Sequence, residues 1–253
     1  MKMNKMRALF QFSLAIFASS LGQAQASTPA PGEAGPYHVS QTFHIGGEGA
    51  WDYPTVDAEH QLLFVPRSTC ADPKVELGGK PEFLAADGEG KAYINLVHKD
   101  QVAVADTKTM KVVDKWSTAP GGSPVGMSID VAKRRLFIGC RKPQKLIVMD
   151  ANNGKVLADF PIGAGVDATK FAGDIFASCA DGTLTVVRES TPGKFQVVQT
   201  VQTPRGARTM GVDPTTRTLY LPTAEMLPPA EGQTRPRPKP DTFMVVVVSP
   251  SGK

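Results

Sequence analysis

Five times along the chain a short strand-forming run ends in a glycine-rich corner, and a new strand-turn-strand unit follows. The corners are Ile45-Gly46-Gly47-Glu48-Gly49, Leu77-Gly78-Gly79-Lys80-Pro81, Ala119-Pro120-Gly121-Gly122-Ser123, Ile162-Gly163-Ala164-Gly165 and Thr203-Pro204-Arg205-Gly206. Three of the units share a register: Val56-Asp57 with Leu63-Phe64-Val65, Ile129-Asp130 with Leu136-Phe137-Ile138, and Val212-Asp213 with Leu219-Tyr220-Leu221. In each, seven residues separate the Asp from the aromatic. Asp87 and Tyr93 repeat the pattern one residue shorter, and Phe171 with Phe176 form a degraded copy. A repeat this regular makes each unit a supersecondary element that buries its apolar face only against its neighbours.

The period decides the architecture. Asp87 to Asp130 is 43 residues and Asp130 to Asp213 is 83, or two periods, which is the length of a four-stranded β-propeller blade. The unit from Glu82 to Gly122 predicts strands at Phe83–Ala86, Lys91–Val97, Gln101–Ala105 and Lys111–Trp116, joined at Asp87-Gly88-Glu89-Gly90 and Asp106-Thr107-Lys108-Thr109. Valine-rich runs bounded by Asp, Asn and Gly turns are what half-buried antiparallel strands require. No stretch carries a helical period capped at both ends. The expectation is an all-β propeller of about five four-stranded repeats over residues 37–253.

The combination of Val-x-Asp, Leu-Phe/Tyr-Val, Val-x-Val-x-Asp-x-x-Thr-x-Lys-Val and an Ile/Leu-Gly-Gly corner resembles the YVTN-type, YncE-like family of secreted β-propellers, from about residue 37 onward. That resemblance implies a binding scaffold with no shared reaction and a ring of seven blades. This chain departs from it in the first unit. Only eight residues, Pro66 to Pro73, separate strand Gln61–Val65 from Lys74–Leu77, which reads as a fourth strand, and Asp57 to Asp87 spans 30 residues. Relative to the family about two blades are lost, the first repeat is incomplete, and the ring either recloses or leaves strand edges exposed. The last unit supplies Thr209–Asp213, Thr218–Leu221 and Phe243–Val248 but no fourth strand, so Tyr37–Ile45 is expected to close it. An insert at 222–241 carrying six prolines is expected as an irregular loop.

Residues 1–26 have the form of a secretory signal: Lys2, Lys5 and Arg7, an apolar stretch from Ala8 to about Leu21, and Ala24-Gln25-Ala26 before the cut. Residues 27–36 read as a flexible lead-in, and the location as periplasmic or secreted. Cleavage leaves 25 basic against 24 acidic residues, a net charge of +1 from the +4 of the whole chain, so no general nucleic-acid or membrane surface is implied. No transmembrane segment is expected after cleavage. Cys140 and Cys179 occupy equivalent places in adjacent units and read as buried thiols, whereas Cys70 falls in a loop.

Candidate chemistry lies where the glycine corners and the second-to-third strand loops share one face. Aligning the units on their Asp brings Asp52, Glu82, Val125, Asp167 and Arg208 to one position, and the loops add Arg67, Asn95, His98, Arg141, Lys142 and Glu225. The ligand-binding candidates are therefore Asp52, Glu82, Asp167, Arg208, Asn95, His98, Arg141 and Glu225. Arg208 either neutralises these acids structurally or serves a ligand. Their excess of carboxylates favours a cation or basic ligand, or a protein partner. The alternative is a metal-assisted, lactonase-like hydrolase in which Asp52, Glu82 or Asp167 holds a metal or acts as general base. His38, His44, His60 and His98 show no metal-ligand spacing, no Gly-x-Ser-x-Gly elbow is present, and no cofactor is indicated.

Overall fold

The computed structural model describes residues 36–44, 55–57, 62–64, 77–109, 111–234 and 236–251. In chain order, β1 (Tyr37–His44) precedes the pair β2 (Thr55–Asp57) and β3 (Leu62–Phe64). Three complete units follow. The first is β4 (Pro81–Ala86), β5 (Lys91–Leu96), β6 (Gln101–Asp106) and β7 (Lys111–Ser117). The second is β8 (Pro124–Asp130), β9 (Arg135–Arg141), β10 (Gln144–Asp150) and β11 (Val156–Pro161). The third is β12 (Val166–Ala172), β13 (Asp174–Cys179), β14 (Thr183–Thr191) and β15 (Lys194–Gln202). The chain ends with β16 (Gly211–Val212), β17 (Leu219–Thr223), β18 (Met226–Leu227), β19 (Arg237–Pro238) and β20 (Met244–Pro250). Among the described residues the one helical element is the 3-10 turn Val97–Lys99, and none is long and apolar enough to cross a membrane.

Each complete unit is a four-stranded antiparallel meander, and the innermost strands follow one another about an axis: β4 packs on β8, β8 on β12, β12 on β16 and β16 on β2. That is a β-propeller. Numbering the shortened first unit as blade 1, the complete units are blades 2 to 4. Blade 5 is split between the two ends of the chain. Its order is β1-β20-β17-β16, with Tyr37 opposite Pro250 and His44 opposite Met244. The N-terminal strand therefore closes the last blade, as its glycine corner and the missing fourth strand foretold.

The recurring Asp is a turn-former. Asp106 Oδ1 accepts hydrogen bonds from the Lys108 and Thr109 amides at 2.9 and 2.7 Å and from Thr109 Oγ1 at 3.0 Å. Asp150 accepts from the Asn152 amide, Asp213 from the Thr215 amide, and Asp87 from the Glu89 and Lys91 amides. A short carboxylate that satisfies backbone donors two residues on makes the strand reverse.

Between blades the packing is apolar and close. The faces of blades 2 and 3 meet through Tyr93, Val102, Val104 and Trp116 against Met127, Leu136, Ile138, Ile147 and Met149. Blades 3 and 4 meet through Phe137, Leu146 and Val148 against Val166, Ile175, Ala177 and Val187, with Phe137 and Phe171 stacked at 5.1 Å. The inner strands come closest at Gly126, where a Cβ would lie 2.7 Å from the Thr169 nitrogen and 2.9 Å from the Ala168 carbonyl carbon. On the opposite face of blade 2, turned away from blade 3, Leu84 is 54% exposed. At the matching register position Met127 and Thr169 are fully covered.

Two Asp-Arg-Tyr clusters tie blades on the face opposite the glycine corners. Arg134 of blade 3 reaches back to Asp87 at 2.9 Å and to the Tyr93 hydroxyl at 2.9 Å, and that hydroxyl donates to the Ala151 carbonyl. At the other tie, Arg188 makes a bidentate contact with buried Asp174 at 2.7 and 2.6 Å, and the Tyr37 hydroxyl donates to the same carboxylate at 2.7 Å. Tyr37 is 1% exposed, meets Phe176 edge-on at 5.2 Å, and exchanges two backbone-to-side-chain bonds with Gln199. The first residue of β1 is thus anchored in blade 4 as well as blade 5.

Three expectations are corrected or bounded. Within the 222–241 insert, which is otherwise largely loop, β18 and β19 pair over two residues each, and the Lys239 amide donates to the Glu225 carbonyl at 2.7 Å. The strand expected at Lys74–Leu77, the signal and lead-in of residues 1–35, and Cys70 lie outside the described residues apart from Leu77. Cys140 and Cys179 are buried free thiols, and burial pushes each up to about 12.

Two outcomes follow from this packing. Gly126→Ala should cost about 1–3 kcal/mol in urea unfolding, since the added methyl meets the backbone of Ala168 and Thr169 as well as Thr169 Oγ1; an unchanged midpoint would contradict the close approach. For Asp174, burial alone would raise the carboxyl, but Arg188 first and Tyr37 next outweigh it and hold it below its ordinary value. Stability from a depressed carboxyl is present above its unfolded pKa of about 4 and lost as pH falls through the folded value. Wild-type Tm should therefore fall more steeply than that of Asp174→Asn on acidification below about pH 4, and parallel curves would contradict the latch.

Candidate functional site

The inner strands of blades 2, 3 and 4 each begin with a break in register: between Pro81 and Leu84, between Pro124 and Gly126, and between Val166 and Ala168. A bulge re-aims the residue it frees from the ladder. The freed residues are Glu82 with Phe83, Val125 and Asp167, at matching positions of three blades. In the fifth blade Arg208 comes just before β16, and its carbonyl accepts the Ala168 amide at 3.1 Å and the Ser178 hydroxyl. Adjacent blades are thereby stitched at the glycine-corner end of the axis.

At that end Asp167 lies between two guanidiniums. Arg141 Nη2 donates to Oδ1 at 2.5 Å, and Arg208 Nε approaches Oδ2 at 3.1 Å. Arg141, at the end of β9, also donates Nε to the Val166 carbonyl at 2.9 Å. The cluster spans blades 3, 4 and 5. Asp167 is 15% exposed against 34% for Arg141 and 51% for Arg208, so the carboxylate is sheltered while both cations face solvent. Three of the sequence candidates, far apart in the chain, are brought together here.

The remaining candidates part company with them. Asn95 is fully buried and donates Nδ2 to the Val125 and Gly126 carbonyls at 2.8 and 3.1 Å, so it staples blade 2 to blade 3 rather than facing a ligand. Its place on β5, one residue before the loop, turns it into the interface. Glu82 is exposed and 3.7 Å from Lys80. His98 is exposed on the 3-10 turn. Glu225 is paired with Lys239 Nζ at 2.7 Å within the insert hairpin, a side-chain bond that the expected irregular loop did not suggest. Asp52 and Arg67 lie outside the described residues.

One residue escaped the sequence reading. Lys170 of β12 stands opposite Phe176, where the matching pairs of the other blades are Ala85 with Tyr93, Ser128 with Phe137 and Gly211 with Tyr220. Three small residues and one lysine share this register position. The Lys170 ammonium reaches across to blade 2 and lies 4.9 Å above the centre of the Phe83 ring. Burial lowers its pKa from the ordinary lysine value. The available signal was a charged residue in the inner strand of a unit whose other copies carry Ala, Ser or Gly.

Among the described residues Arg141 and Arg208 flank Asp167, and Glu82 lies 3.7 Å from Lys80. Among the described residues no three His, Cys, Asp or Glu side chains gather as a metal would require.

No protein-family model matches the chain, and no curated protein does. Among solved structures, Kuenenia stuttgartiensis hydrazine synthase is similar with a TM-score of 0.52 at 14% identity, over 68% of this chain and 47% of that one. The WD40 β-propeller domain of Doa1 gives 0.49 at 14% identity over 68% and 51%, and a chain of the mitotic checkpoint complex gives 0.49 at 11% over 65% and 48%. The chain spans about half the length of each. At these identities the likeness is one of fold.

The Arg141-Asp167-Arg208 cluster is testable as a unit. Asp167→Asn should cost about 1–2 kcal/mol by leaving two guanidiniums facing each other, with part recovered in Asp167→Asn/Arg208→Gln. A double-mutant cycle with no coupling would show that the contact carries nothing.

Proposed function

We propose that this chain is an exported, non-catalytic β-propeller of the YVTN type that binds a ligand or partner at the glycine-corner end of its axis. The observation that carries the reading is the Arg141-Asp167-Arg208 cluster. It joins three blades at the one end where corners and loops converge, with its cations toward solvent. Such a convergent polar group at a concave end is where a propeller binds. Export rests on the basic-apolar-small pattern of residues 1–26, and the YVTN assignment on the quoted motifs, both proposals from sequence.

The alternative, a lactonase-like metal-assisted hydrolase at the same end, draws on Asp52, Glu82 and Asp167. Asp167 is committed to two guanidiniums and Glu82 faces Lys80, so neither stands ready as a metal ligand or general base. The binding reading is favoured for that reason.

Three measurements test it. The mature N-terminus should be Ser27 on exported protein, and residues 1–26 retained on soluble cytoplasmic protein would reject export. Purified protein should hold less than one divalent ion per chain by elemental analysis; a stoichiometric ion would favour the hydrolase. A thermal-shift screen of small metabolites should give compounds that stabilise wild type and lose their effect on Arg141→Ala/Arg208→Ala. Equal stabilisation of both proteins would remove the axial end as the site.

A further inference from the structure

We propose that Lys170 is a strap across the axis: its ammonium, seated over the Phe83 ring, ties the inner strand of blade 4 to that of blade 2 past the blade between them. The inference goes beyond the axial-end reading and does not depend on it.

Three observations carry it. The first is the order of the blades. β4 packs on β8 and β8 on β12, so blades 2 and 4 are separated by blade 3. Lys170 Nζ of β12 nevertheless lies 4.9 Å from the centre of the Phe83 ring of β4. An ammonium within about 6 Å of a ring centroid is attracted by the negative face of the ring. The second is the register of the cation. Lys170 stands opposite Phe176, and the matching residues of blades 2, 3 and 5 are Ala85, Ser128 and Gly211. Those three side chains are too short to leave their own blade, whereas the four-carbon stem of lysine is long enough. The third is the register of the ring. Two residues before that position the blades carry Phe83, Gly126, Ala168 and Thr209. One long cation and one aromatic ring thus occur in blades that are not adjacent. Each stands at a level where the other blades carry only short side chains, and the two meet.

Contacts between neighbours fix blade 2 to blade 3 and blade 3 to blade 4, and any give in the two interfaces adds up between blades 2 and 4. A contact that skips blade 3 closes a triangle, so the three complete blades hold one angle. An ammonium taken from water loses hydration, and the face of the ring offsets part of that loss.

The test uses the full chain with lysine side chains isotopically labelled for NMR. In wild type the ring current of Phe83 should move the Lys170 ε-methylene signal upfield of the other lysines, and Phe83→Leu should return it to their range. Lys170→Met, which lacks the signal, assigns it. A Lys170 signal among the others in wild type, or one unmoved by Phe83→Leu, would overturn the contact. Urea unfolding of wild type, Lys170→Met, Phe83→Leu and the double variant should give a coupling of about 2- to 30-fold in the unfolding constant. Lys170→Arg should retain that coupling, and additive effects would overturn the strap. Hydrogen exchange reads its two ends: each single substitution should speed exchange in both β4 and β12. A change confined to the substituted strand would show a local contact and overturn the inference. If Lys170→Met fails to fold, Phe83→Leu carries the test through the lysine signal and the exchange of β12.

Discussion

Closure of the fifth blade by β1 is the constraint on which the axial end depends. A propeller has an axis only if its blades are held in an arc, and here the last blade is completed by a strand from the other end of the chain. That strand brings its own lock. Tyr37 is buried, shares the Asp174 carboxylate with Arg188 of blade 4, and takes Gln199 through its backbone. Burying a carboxylate is costly unless it is paired and hydrogen-bonded; two arginine donors and one phenol satisfy Asp174. Pairing alone would leave β1 an edge strand free to fray, and the lock removes that freedom.

The two ends of the ring use the same interaction for different purposes. On one face, Asp87 with Arg134 and Asp174 with Arg188 are sheltered carboxylates completed by a tyrosine, and they hold blades together. On the other, Asp167 is also sheltered, but its two arginines reach outward. The difference is that guanidiniums from two blades flank Asp167, where a single one bonds each tying carboxylate.

The architecture was legible in the sequence because its determinants are local. An Asp that folds its carboxylate onto amides two residues later produces a turn wherever it occurs, so the Asp-to-aromatic spacing reports the blade directly. The missing fourth strand of the last unit likewise pointed to Tyr37–His44. The site was legible in part. Asp167 and Arg208 came from aligning corners, and Arg141 from its loop, since position along a blade follows from the repeat. Side-chain direction does not. Asn95 and Arg141 both lie near the end of a second strand, but Arg141 stands two register positions further toward the loop, so Asn95 bonds into the blade interface while Arg141 reaches Asp167. The pairing of Glu225 with Lys239 was not legible because it is a contact between the two arms of the insert. Lys170 was hidden because its unit carries the degraded copy of the motif, and only the cross-strand partner Phe176 shows which position it fills.

Native-state hydrogen exchange on β1 tests the central claim most directly. If closure by β1 holds the ring, the amides of Val39, Thr42 and Phe43 should open with the same free energy as those of β12, because the strand leaves only when the whole domain unfolds. Exchange of those amides by local opening, several kcal/mol below the β12 value, would contradict it.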